Sequence, residues 1–155
     1  MNLKFETINF EIIENIAIIR LNRPNSYNSL NAKMAKELLE ISYECDTNKK
    51  IRAIILTGEC DKAFCAGGDL KSFHETGNVA KHLKMVTHDL HGAITKFSRM
   101  TSPLIVAVNG VAAGAGLSFV GFADLAIAKS SATFVSAYTK ACLLYTSDAA
   151  DELSC

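Results

Sequence analysis

Apolar and polar residues recur along this chain at two periods, and the changes of period mark its elements. Residues 3–10 (Leu-Lys-Phe-Glu-Thr-Ile-Asn-Phe) alternate one by one, which predicts a half-buried strand. Glu14-Asn15 turns the chain into Ile16–Leu21, a β-branched run that reads as the hairpin partner. Asn22–Ser26 is a loop by its turn residues. The spacing then lengthens: Met34, Leu38, Ile41 and Cys45 share one helical face, and Asn31 stands where a cap belongs. Ile51–Thr57 reads as a buried strand ended by Gly58, and a long helix is predicted from about Asn78 to Arg99. Leu104–Val108 is a short apolar strand entered from Pro103. Asn109-Gly110 then turns the chain toward Gly114-Ala115-Gly116, which opens a second apolar helix to about Ala123. Asp124–Ala128 and Ala132–Val135 read as two further strands. Strands alternating with helices predict an α/β layer fold.

Composition narrows the function classes. The 155 residues are 49% hydrophobic and 21% charged, which suits one domain with one sizeable core. Sixteen basic and sixteen acidic side chains give no net charge, so the electrostatic footprint of a nucleic-acid binder is missing. Cys45, Cys60, Cys65, Cys142 and Cys155 have no metal-ligand spacing. Their odd number and the lack of a signal peptide predict reduced thiols in a cytoplasmic protein. Leu104–Ala123 is an uncharged 20-residue stretch with Gly110 and Gly114 in a G-x-x-x-G. Asn109, four glycines and a strand-like start argue for a buried strand–turn–helix there, not a membrane span.

Two segments carry candidate chemistry. In Ala66-Gly67-Gly68-Asp69 a strand runs into small residues, whose amides can approach a negative oxygen closely. Asp69 is placed to cap a short helix that follows. A loop that needs glycine only for its turn is an equal reading of this segment alone. Gly110–Gly116 repeats the logic at the start of an apolar helix, where unpaired amides and the helix dipole favour an anion. Two amide sources converging on one oxygen would form an oxyanion hole. A dinucleotide site is disfavoured, because Gly114 and Gly116 are followed by Gly121, two residues too late for G-x-G-x-x-G.

Three motifs stand in order along the chain: Leu21-Asn22-Arg23-Pro24 with Asn28, Ala63-Phe64-Cys65-Ala66-Gly67-Gly68-Asp69-Leu70, and Val106–Gly110 with Gly114-Ala115-Gly116. Together they closely resemble the crotonase family, the enoyl-CoA hydratase/isomerase superfamily. The resemblance covers residues 3–141. It implies a spiral of ββα units, incomplete at the C-terminus, and a homotrimer or hexamer for the full-length protein. It also implies an acyl-CoA thioester as substrate, with coenzyme A part of that substrate and no separate cofactor. By position, the backbone amides of Ala66 and Ala115 are the expected oxyanion donors. Ser26 falls where family members touch the CoA moiety, and Gly67, Gly68, Asp69 and Leu70 are expected along the substrate. Arg23 is read as a solvated surface residue, with help by charge as the alternative.

The chain also departs from that pattern. Hydratases of the family use two glutamates, and those positions hold Ser118 and Tyr138 here. A serine is no general base unaided and a tyrosine has a pKa near 10, so two-glutamate hydration is not supported. Ala112–Ser118 and Ser136–Lys140 look more like the isomerase-type branch, whose single carboxylate is expected just after Ala141 in a Gly-Leu-x-Pro-Asp segment. Isomerisation through a thioester enolate is the leading expectation, with the general base missing from this fragment. The alternative is a non-catalytic module that binds thioester or assembles.

The last fourteen residues look foreign. Cys142–Cys155 carries Asp148, Asp151 and Glu152 and nothing basic, whereas residues 1–141 hold every Lys and Arg. Residues 142–152 back-translate to a string resembling a transposase-type sequencing adapter. The expected division is therefore residues 1–141 as the N-terminal part of a crotonase-like domain and 142–155 as a non-native tail. Apolar surface that later elements would cover is then expected to be exposed. His88 and His91, three apart on the long helix, lack a third ligand and read as helix surface. Cys65 reads as a small apolar filler, and Asp124 as a structural hydrogen-bonding residue.

Overall fold

The structure is a computed structural model and describes residues 4–74 and 77–137. Tyr138 and the 142–155 segment, with the boundary expected at Ala141, lie outside the described residues. Among the described residues, eight strands form two sheets. The larger holds β1 (Ile8–Ile13), β2 (Ile16–Leu21), β3 (Ala53–Gly58), β5 (Leu104–Val108) and β7 (Leu125–Ala128), in that order. The smaller holds β4 (Ala63–Cys65), β6 (Val111–Ala113) and β8 (Thr133–Val135), all parallel. Helices α1 (Ala32–Thr47), α2 (Leu70–His74), α3 (Val79–Phe97) and α4 (Ala115–Phe122) connect them. From β3 onward the chain places one strand in the large sheet, the next in the small sheet, and then returns through helix. This repeat is the ββα spiral, and it makes β3, β5 and β7 parallel neighbours as well as β4 and β6.

Local chemistry explains most boundaries. Glu14 and Asn15 both take positive φ, 48° and 70°, as a two-residue hairpin turn requires. That turn sets the register Ile13↔Ile16 to Ile8↔Leu21, so β1 occupies residues 8–13 and not the expected 3–10. The residues before it serve another purpose: the N–H groups of Glu6 and Thr7 donate to the Glu37 carboxylate at 2.9 and 3.0 Å. Asn31 caps α1 by accepting from Met34 N–H at 2.9 Å, and Asn78 caps α3 through Lys81 N–H. Met34, Leu38, Ile41 and Cys45 are buried as their spacing predicts, and α1 packs along α3. Strand β6 is a departure from expectation: three residues show no period of their own, and the strand exists because it pairs with β4 on one side and β8 on the other.

The core lies between the large sheet and the α1–α3 pair, where Ile19, Leu21, Ile54, Leu56 and Val106 are fully enclosed. Asp124 is structural, accepting from Leu104 N–H at 2.7 Å. Leu104–Ala123 folds as β5, β6 and α4, and no helix among the described residues is long and apolar enough to cross a membrane. Among the described residues β7 and β8 are the last strands of their sheets, and Leu125, Ile127 and Phe134 on them are each about half exposed.

Candidate active site

Strands β4 and β6 are parallel neighbours, so their C-terminal ends emerge side by side, about 4.8 Å apart. Small residues follow both ends, and the two loops touch. A β-carbon at Gly67 would lie 3.6 Å from Ala115 N, and one at Gly114 would lie 3.7 Å from Gly67 Cα. Both glycines have positive φ, 95° and 51°, a backbone that side chains disfavour. The topology thus brings together the two segments that the sequence singles out 49 residues apart.

The amides of these loops differ in their engagement. Ala66 N–H donates to Tyr27 O at 3.0 Å, so the donor expected there is already spent inside the protein. Leu30 N–H donates to Gly67 O at 2.7 Å and Leu30 O accepts from Asp69 N–H at 2.8 Å. This is a parallel bridge centred on Gly68, which turns the N–H of Gly68 itself away from Leu30. Ala115 is the first residue of α4, where an N–H has no carbonyl partner within the helix.

Both loops line a cleft of about 280 Å³. Ala66, Gly67, Gly68, Gly114, Ala115 and Ala137 form one wall. Leu83, Val86 and Leu90 of α3 line the cleft too, and Leu30 and Leu70, next to the Gly67-Gly68 loop, add to its apolar lining. Only two polar side chains reach it among the described residues, Thr87 and His91 of α3. Ser118 is not part of the lining, and its hydroxyl lies 3.5 Å from Gly114 O, a back-bond within its own helix. Ser26 sits on a single 3-10 turn, Pro24–Ser26, outside the lining.

Asp69 also points elsewhere. Its carboxylate accepts from Arg23 Nη2 at 2.7 Å and from Ser72 N–H at 3.3 Å, capping α2 as expected. Arg23 is therefore not a solvated surface residue; it is mostly enclosed, with Nη1 donating to Ser29 O at 2.6 Å. Burial raises the Asp69 pKa, but the Arg23 guanidinium and the N–H groups of Ser72 and Lys71 outweigh it and hold the carboxyl below its ordinary value. The ionised form is thus favoured by the fold. Stability from this pair is fully present above the ordinary value of 3.8 and is lost as pH falls through the lower folded value. Asp69→Asn is expected to flatten the acid side of the stability profile, measured by urea unfolding between neutral and acidic pH.

Residues 11–147 match the family profile described as enoyl-CoA hydratase/isomerase. The chain belongs to this family. It is similar to a probable enoyl-CoA hydratase of Rhodobacter capsulatus, 39% identical over 139 residues, covering 89% of this chain and 52% of that protein. It is also similar to the 1,2-epoxyphenylacetyl-CoA isomerase of Escherichia coli, 34% identical over 137 residues, covering 87% of this chain and 52% of that protein. Among solved structures, the enoyl-CoA hydratase of Mycobacterium smegmatis superposes with a TM-score of 0.82 at 27% identity, over 88% of this chain and 52% of that one. The chain spans about half the length of the curated relatives it matches.

Membership in the hydratase/isomerase family accords with the α/β spiral, and the three motifs fall where that spiral brings them to one end. The apolar wall from α3 escaped the sequence reading, although its stripe of Leu83, Val86 and Leu90 is the helix's inward face. Cys65 is fully buried behind the first loop, and burial, only partly offset by a Gly67 N–H, pushes its thiol up to about 12. It is an inert filler at neutral pH, as its surroundings in the sequence suggest.

Proposed function

We propose that this chain is the acyl-CoA-binding part of an isomerase-type member of its family, which stabilises a thioester enolate with the backbone N–H groups of Gly68 and Ala115. The observation that carries this reading is the meeting of two amide-bearing loops at one end of an apolar cleft. A thioester carbonyl oxygen gains charge as the enolate forms, and fixed donors that wait for that charge lower the barrier. Gly68 replaces Ala66 as first donor because the Ala66 N–H is held by Tyr27. Isomerisation is favoured over hydration because no carboxylate lines the cleft among the described residues, and Ser118 stands at one of the two acid positions. That same lack supports a second reading, a thioester-binding or assembly module without turnover.

The reading includes a cytoplasmic protein, no cofactor beyond the CoA of its substrate, a trimeric or hexameric full-length assembly, and residues 142–155 as a foreign tail without a role. Calorimetric titration tests the binding claim. A 3-enoyl-CoA thioester is expected to bind, whereas the free carboxylic acid and NAD are not. A chain that binds no acyl-CoA thioester contradicts the proposal.

A further inference from the structure

The cleft holds one titratable side chain among its described lining residues, His91. It lies on α3 one turn beyond Thr87 and two turns beyond Leu83, on the face that supplies the apolar wall. Gly68 and Ala115 line the same cleft. His91 is exposed at the rim, so its imidazole meets both the cleft and bulk water. Its neighbour His88 points out of the cleft, with its ring 3.1 Å from Asp89.

Resting on the acyl-CoA reading above, we infer that His91 is the catalytic acid–base group of this site and carries the proton that isomerisation moves. Imidazole changes charge near neutral pH, which suits a group that must both take and return a proton. In the forward step a neutral His91 nitrogen takes the α-proton of a β,γ-unsaturated thioester. The C–H pair becomes the Cα–C(O) double bond, and the carbonyl π pair moves to oxygen, between Gly68 N–H and Ala115 N–H. The imidazolium then returns its proton to the γ-carbon, the thioester carbonyl re-forms, and the double bond lies conjugated at α,β. Atoms and charge balance without a co-reactant. Thr87, the other polar side chain of the lining, is a hydroxyl and no base near neutral pH, so among the described lining residues His91 is the side chain suited to take the proton.

The experiment incubates the full chain with but-3-enoyl-CoA in D2O, following α-deuteration by NMR and thioester binding by calorimetry. The chain is expected to bind and to exchange. His91→Gln is expected to lose at least 100-fold in exchange rate while affinity stays within about twofold. Added imidazole is expected to restore exchange in His91→Ala, and His88→Gln to behave as the parent. Equal exchange in parent and His91→Gln overturns the inference, as does a loss of exchange matched by an equal loss of binding. A parent chain that binds without exchanging overturns it too, and leaves the acyl-CoA binding reading intact. A parent that binds no thioester removes the reading itself and this assignment with it.

Discussion

Gly116→Ala is expected to destabilise the fold by about 3 kcal/mol, the upper end of the cost of forcing extra volume into a packed core. A β-carbon at this position would overlap the Cys65 carbonyl oxygen and lie 2.9 Å from the Cys65 carbonyl carbon. Those atoms are backbone of β4, paired to β6, so they cannot swing aside as a side-chain tip would. Relief requires α4 to move off β4, and that motion separates Ala115 from the Gly67-Gly68 loop. Urea unfolding should show a much lower midpoint with an unchanged slope. Gly121 supplies the contrast within the same helix. Its β-carbon would meet nothing within 4 Å, so Gly121→Ala is expected to be neutral or to gain roughly 0.5 kcal/mol.

Asn28→Ala carries the second large effect, again about 3 kcal/mol. Asn28 is fully buried at φ 54°, in the left-handed region that asparagine tolerates better than alanine. Its Oδ1 accepts from Arg23 N–H at 2.9 Å, and its Nδ2 donates to Ala63 O at 2.9 Å and to Glu59 O at 3.1 Å. Alanine leaves three backbone groups without their partner, each worth roughly 1 kcal/mol or more when buried. Asn28→Gly separates the two causes: it relieves the backbone and restores none of the bonds, so it should recover only a minor share. Differential unfolding of the two variants measures that split. The residue matters to the site because its loop also holds Ala66 through Tyr27 O, and Asp69 through Arg23.

Local pattern made several elements legible. Ile16–Leu21 and Leu104–Val108 match their strands, and the Asn31 and Asn78 caps start α1 and α3, because cap and period act within one turn. What stayed hidden depends on partners far along the chain. Strand β6 is three residues long and exists through its pairing with β4 and β8. Which amide of Ala66–Gly68 stays open is decided by Tyr27 and Leu30, some 40 residues earlier. The Arg23–Asp69 pair joins residues 46 apart. One hidden contact did leave a local trace: Glu37 sits on the buried face of α1 beside Met34 and Ile41, and a carboxylate there calls for donors, which Glu6 and Thr7 provide.

The most direct test of the central claim is the carbonyl stretch of a bound thioester, read by isotope-edited infrared difference spectroscopy. Two backbone donors on one oxygen should shift the band to lower frequency. In Ala115→Pro, which deletes one N–H at a helix position that accepts proline, most of that shift should vanish. A thioester that binds with its carbonyl band unshifted from water, or a band that Ala115→Pro leaves in place, contradicts the account.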